Sequence, residues 1–235
     1  MGLPIQKAPK HKCVLSNGQE VTFRPFLVKE QKYLLVTKES NDSLEILSAV
    51  KSLISAVTDN KVDSEKLSVF DLEYLFLQIR AKSVGESVKV HLYCKKQDCD
   101  GTGEVDIDLT EVQIVKPENE VNPTVELSET LGVTLRYPNT KQLAKVDTLK
   151  DDGDKLVELL KFGIESVYDE ESVYSADEIS DSELVEFVES LTLDQVDKLN
   201  TFFESVPVLQ HDVEFECKSC GTLNTSTLKG LQSFF

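Results

Sequence analysis

The chain has 235 residues, 40% of them hydrophobic and 29% charged, enough apolar material for one irregular domain or two modest ones. Its 42 acidic against 25 basic residues give a net charge of −17, which argues against a general affinity for nucleic acid, because phosphate binding needs clustered Lys and Arg. No apolar run approaches the roughly 20 residues that cross a bilayer, "MGLPIQKAPKHKC" lacks the apolar core of a secretory signal, and five cysteines, an odd number, do not read as a disulfide scaffold.

A chain of this kind is expected inside a cell or within an assembled particle, with its thiols reduced or bound to metal. Gln6 stands where an N-myristoylation signal has Ser or Thr. The acid is densest in "YDEESVYSADEISDSELVEFVES", which reads as a solvated helical face or, alternatively, as a surface for a basic partner.

Residues 11–26 predict a hairpin, with Asn17-Gly18 as its turn and Pro25 closing the second strand. Helical spacing follows in "LVKEQKYLLVTKES" and "SLEILSAVKSLISAV", the second starting after Asn41 or Asp42 as N-cap. A third helix opens at Ser68 with Asp71 in capping-box spacing. Its apolar residues Phe70, Leu72, Leu75, Phe76, Leu77 and Ile79 cover more than one face, so it should be buried, with Gly85 as its stop.

From 87 to 137 the alternation is that of strands, in "SVKVHLYC", "GEVDIDL" and "TVELSETLGVTLRYP". Pro138 and Asn139 end this block and cap the next helix. Residues 140–206 are expected to be helical throughout, including "DKLVELLKFGIESVY". Asp181 or Ser182 is the expected cap of one helix, and Thr192 with Gln195 that of the last. Pro207 breaks that run before the strand "DVEFEC". The segments so defined are 1–86, a hairpin plus helices; 87–138, strand-rich; 139–206, acidic and helical; and 207–235, a C-terminal hairpin. With no low-complexity linker between them, one compact α+β unit is expected, with helical groups around a strand-rich middle.

Two stretches share one pattern of strand, cysteine, turn, cysteine, glycine and strand: Cys94-Lys-Lys-Gln-Asp-Cys99 and Cys217-Lys-Ser-Cys220-Gly221. Thiolates three or five positions apart on a tight turn can face one ion, and both spacings fall in the range used for zinc. Cys94, Cys99, Cys217 and Cys220 are therefore candidate ligands of a structural zinc, the two hairpins forming a zinc-ribbon-like unit. Reduced thiols without metal are the other reading. A thioredoxin-like pair fits poorly, because that motif sits at a helix N-terminus. His91 and His211 lie upstream of the first cysteine of each pair as possible substitutes, and Cys13 reads as a small buried hydrophobe.

The three histidines are dispersed, and no nucleophile-elbow, phosphate-loop, dinucleotide or zinc-protease motif occurs. "DCDGTGEVD" lacks the loop spacing of an EF-hand. No catalytic residues are assigned, and the expectation is a protein that is not an enzyme. Arg80 and Lys82 end the buried helix, where the dipole favours cations; the alternative is a polar network with Glu86 or a partner contact. Phe234 and Phe235 either fold back onto the core or anchor in a neighbouring subunit.

Taken together, "FRPFLVKEQKYLL", "FDLEYLFLQIRAKSVGE" and "FFESVPVLQHDVEFECKSCGTLNTSTLKGLQSFF" resemble the baseplate proteins of T-even-like contractile-tailed phages, a family that includes a hub subunit and a hub-assembly factor. "RAKSVGE" is the most specific part, and the likeness runs from about residue 11 to Phe235. The resemblance implies a structural component of the baseplate hub, assembled in the host bacterial cytoplasm and retained in the virion. Its partners would be other tail proteins, with self-association as an option, and neither nucleic acid nor membrane. A transient hub-assembly chaperone absent from the mature virion is the alternative, and the cysteine hairpins alone would suggest a zinc-ribbon nucleic-acid adaptor.

Overall fold

The structure is a computed structural model that describes residues 8–39, 43–117 and 122–234. In chain order it contains β1 (His11–Val14), β2 (Glu20–Phe23), α1 (Val28–Glu39), α2 (Ser43–Val57), α3 (Val69–Val84), β3 (Ser87–Tyr93), β4 (Thr102–Asp108) and β5 (Gln113–Val115). Next come β6 (Thr124–Glu126), β7 (Gly132–Leu135), α4 (Thr140–Asp147), α5 (Asp152–Gly163), β8 (Ile164–Tyr168), β9 (Val173–Ser175), α6 (Asp181–Glu189) and α7 (Leu193–Glu204). The chain closes with β10 (Val208–Glu216), β11 (Leu223–Lys229) and a 3-10 turn at Leu231–Phe234. This is an α+β architecture with several small sheets. No described helix is long and apolar enough to cross a membrane.

The chain gathers into two compact units. One holds Met1–Ser64, Val69–Val115 and Val208–Phe235, the other Glu65–Ser68 and Lys116–Pro207. These groupings run across the segment limits drawn from composition, since β6 and β7 of the strand-rich stretch belong with the acidic helices. The expected caps Asn41 and Asp42 lie outside the described residues, as does Phe235.

In the first unit β1 and β2 form the expected hairpin, turning at Gly18 with φ +83°. Asp71, on the first turn of α3, accepts from the Ser16 N–H and Oγ, both at 2.8 Å, which ties that turn to the buried helix. The helix α3 is buried on several faces, as its apolar pattern requires, and ends before Gly85 with φ +147°. Strands pair in the order β11-β10-β5, while β3 and β4 form a separate hairpin. Leu77 and Ala81 of α3 pack with Ile107, Leu109, Val112, Leu209, Val213 and Leu228 in one core.

Phe234 belongs to that same core with no exposed surface. The reading of this ring as an anchor for a neighbouring subunit is therefore corrected. Glycine at 230 takes φ +68° and turns the chain back, so the ring is sequestered within its own unit.

In the second unit the sheet order is β6-β7-β8-β9, antiparallel throughout. It packs with α5, α6 and α7 through Leu160, Leu184, Val188, Leu199 and Phe202. Asn139 caps α4 as expected and does so in a capping box with Gln142, and Thr192 with Gln195 forms the expected capping box of α7. The cap of α6 is Ser180 with Glu183, one residue ahead of the expected Asp181.

The expectation of helix throughout 140–206 fails at Gly163. A Cβ there would stand 2.1 Å from the Phe203 ring, so the helix ends at a residue chosen for close packing. Beyond it Ile164 and Val167 turn into the core, and Val167 pairs with Val133 of β7. Branched and aromatic residues with a ready edge to pair with favour strand over one more helical turn.

Phe234→Ala should cost about 3–5 kcal/mol of stability, the usual range for emptying a buried aromatic site, read as a lower urea midpoint. A smaller loss would mean that the ring is not packed as described.

A second prediction concerns Lys161, which is nearly inaccessible and bonds Glu158 and Asp181 at 2.7 Å each. The hydrogen bond from Lys161 holds the Asp181 carboxyl below its ordinary range. A depressed folded pKa stabilises above the unfolded value, about 3.9, and the gain is lost as pH falls through the folded value. Asp181→Asn should therefore lower stability at neutral pH by up to about 1 kcal/mol and converge with the parent protein in strong acid, as checked by urea unfolding across pH.

Candidate metal centre

Each cysteine pair sits in the connection of a hairpin. In the first, β3 and β4 pair up to Tyr93 and Thr102, and the ladder continues through the Cys94 N–H to the Gly101 carbonyl at 2.8 Å. The connecting turn is closed by the Cys99 N–H on the Lys96 carbonyl at 3.2 Å, with Asp98 at φ +60°. In the second, the Cys217 N–H bonds the Thr222 carbonyl at 3.0 Å and the Gly221 N–H bonds the Cys217 carbonyl at 2.9 Å. Gly221 takes φ +68°, the left-handed conformation that this turn needs and glycine supplies without penalty.

The two hairpins lie directly against each other. The Lys218 N–H reaches the Thr102 carbonyl at 3.1 Å, and the Lys95 N–H reaches Asn224 Oδ1 at 2.8 Å. A Cβ at position 101 would lie 2.5 Å from Cys217 Sγ, and one at position 103 would lie 2.2 Å from the Phe215 ring. Gly101 and Gly103 are thus required by approach distance, not by turn conformation.

The consequence is that all four sulfurs lie within 4.8 Å of one another. Cys94 and Cys220 stand 3.8 Å apart, as do Cys99 and Cys217, and each of these pairs joins opposite hairpins. These separations are far beyond the roughly 2.05 Å of a disulfide. Four sulfurs at about 2.3 Å from a tetrahedral ion would lie about 3.8 Å from each other. The donor set therefore suits zinc in number, softness and spacing. Around it, Asn224 is buried, bonds the Thr222 carbonyl through Nδ2 at 2.8 Å, and approaches Cys94 Sγ at 3.6 Å.

Electrostatics within the group are uneven. The Thr222 hydroxyl and backbone N–H pull Cys220 down to about 6. The Gly101 N–H draws Cys99 downward as well, but the neighbouring Cys220 thiol, burial and the remaining thiols outweigh it and push Cys99 up to about 12. Negative charge is favoured at Cys220 and resisted at Cys99, an imbalance that a central dication would relieve. Four thiolates around one ion leave no open position, so such a centre holds structure and does not activate a substrate.

The other candidate residues lie elsewhere. No histidine belongs to the sulfur cluster among the described residues, and His91 Nδ1 instead faces Glu104 at 3.6 Å. Cys13 is buried in the first hairpin, and desolvation raises its thiol to about 11. Lys82 pairs with Glu86 one turn on, at the end of α3, and burial lowers the pKa of Arg80 on the same helix. Sequence reasoning missed Asn224, Gly101 and Gly103. The doublet Gly101-Thr102-Gly103 was the available signal for a strand pressed against another backbone.

The profile of the T4 bacteriophage base plate protein family matches residues 8–235, nearly the whole chain. The chain belongs to that family. It is a phage baseplate protein, with the tail of the virion as its setting and other baseplate proteins as its partners. No curated protein and no solved structure matches it.

In the metal-free protein, Cys220 should be the first thiol alkylated by iodoacetamide at pH 7, since it is exposed and already largely thiolate. Its rate should fall as pH drops below about 6. Peptide mass mapping over time checks the order, and early modification of Cys99 or Cys13 would contradict it.

Proposed function

We propose that the protein is a structural component of the baseplate hub of a contractile phage tail, acting through protein contacts, and that its four cysteines hold one zinc ion. The observation that carries this reading is the convergence of thiols 126 residues apart, from two hairpins, at tetrahedral spacing. The two hairpins and their ion form a unit of zinc-ribbon type, and the ion pins the C-terminal hairpin to the middle of the chain. A closed sulfur shell serves stability, and the protein is read as non-catalytic. Metal binding to such a site contributes directly to folding free energy.

Elemental analysis of protein purified without added zinc should find one equivalent. Cys217→Ser should lose that metal and lower the thermal midpoint clearly, while Cys13→Ser should retain it. Metal-free protein of undiminished stability would reject the zinc centre. The hub assignment is tested separately by quantitative mass spectrometry of purified particles. Stoichiometric recovery supports a retained component, whereas absence from finished tails would point to a transient assembly chaperone.

A further inference from the structure

The negative charge of this protein is not shared evenly. The unit formed by Glu65–Ser68 and Lys116–Pro207 holds 23 acidic against 9 basic residues, a net charge of −14 out of −17. The first unit, where the thiols lie, is close to balanced. Within the acidic unit the sheet has two edges of unlike character.

The edge at β6 is covered from its own unit. Gln195 of α7 donates to the Leu127 carbonyl at 3.1 Å, and Lys198 Nζ donates to the Glu126 carbonyl at 3.2 Å. The edge at β9 has no further strand beside it among the described residues. Its ladder to β8 is bounded by the Asp169 N–H on the Ser172 carbonyl and the Ala176 N–H on the Glu165 carbonyl. Alternation in an antiparallel pair then turns the Tyr174 amide inward and the Val173 and Ser175 amides outward.

Two of the three side chains of this edge are open, while Ser175 is half-buried and the Tyr174 hydroxyl donates to Asp169 Oδ2 at 3.2 Å. Val173 is 74% exposed and Tyr174 48%. Natural sheets blunt an edge by keeping it short or with charge, proline or a bulge; β9 is short, with three residues, and leaves two outward amides for a partner. Here the flanking exposed carboxylates are Asp169, Glu170, Glu171, Asp177 and Glu178, of which Asp177 is paired with Arg136 at 3.0 Å. Carboxylates at both ends of the strand repel a second copy of the same edge, and the charge of −14 on each unit adds to that repulsion. The same carboxylates attract a strand carrying positive charge.

We propose that β9 is a docking edge that takes an extended, lysine- or arginine-rich segment of another baseplate protein as an additional strand. Main-chain bonds to the Val173 and Ser175 amides would supply the pairing, and the glutamates would select the sign of charge and speed the encounter. The proposal rests on membership of the baseplate family for the nature of the partner. It is independent of the zinc centre, whose ligands belong to the other unit.

The test uses the full-length protein and a synthetic octapeptide of alternating lysine and valine, titrated calorimetrically at low and physiological salt. Saturable one-to-one binding is expected, with amide exchange of Val173 and Ser175 slowed by at least about fivefold, as pairing requires. Glu170→Lys combined with Glu171→Lys should weaken the affinity by at least about tenfold. A peptide of the same charge with alternate amides N-methylated should fail to slow exchange. Metal content should be equal in variant and parent, which separates this result from the fate of the zinc centre. No binding, binding without protection of those two amides, or undiminished binding by the charge-reversed variant would each overturn the proposal.

Discussion

The close approach of two backbones, with Gly101 and Gly103 on one side and Cys217 and Phe215 on the other, is the constraint on which the candidate site depends. Any side chain at either glycine would hold the hairpins apart by more than the tolerance of the sulfur cluster. With hydrogen at both positions, Lys218 reaches Thr102, Lys95 reaches Asn224, and four thiols close to within 4.8 Å. A metal centre built this way depends first on van der Waals clearance and only then on ligand chemistry.

The chain between the hairpins does not hinder that meeting. Residues of the second unit depart after β5 and return at β10, and these strands pair directly, Val115 opposite Val208. The inserted stretch thus begins and ends at neighbouring points of one sheet. Closing so long a loop costs only logarithmically more than closing a short one, and the β5–β10 ladder and the Leu209 and Val213 core contacts hold it shut. An ion at the thiols would reinforce a juncture that packing already brings together.

Charge follows the same division. The nearly neutral unit carries the sulfur cluster and the sequestered C-terminal ring, whereas the acidic unit carries an open strand edge. For a protein whose partners are other baseplate proteins, this division keeps most of the charge available for contacts in one unit and the thiols in the other. One buried polar side chain in each unit shows how such groups are matched, Asp71 by Ser16 and Lys161 by Glu158 and Asp181. Asp71 with Ser16 and Lys161 with Asp181 join separate elements, adding direction to apolar contact, which has none.

Much of this was legible from residues alone, because it depends on neighbours in the chain. The Asn17-Gly18 hairpin, the many-faced burial of α3, the helix cap at Asn139, the capping box at Thr192, and the Cys-turn-Cys connections are all local matters of conformation and spacing. What tertiary structure alone decided is non-local. Ile164–Tyr168 became a strand because β7 offered an edge, Phe234 turned inward because the α3 core received it, and four thiols became one cluster because two glycines let distant backbones touch. Local conformation is set by steric preference within a few residues, whereas pairing, burial and approach distance depend on surfaces that exist only once the chain has folded.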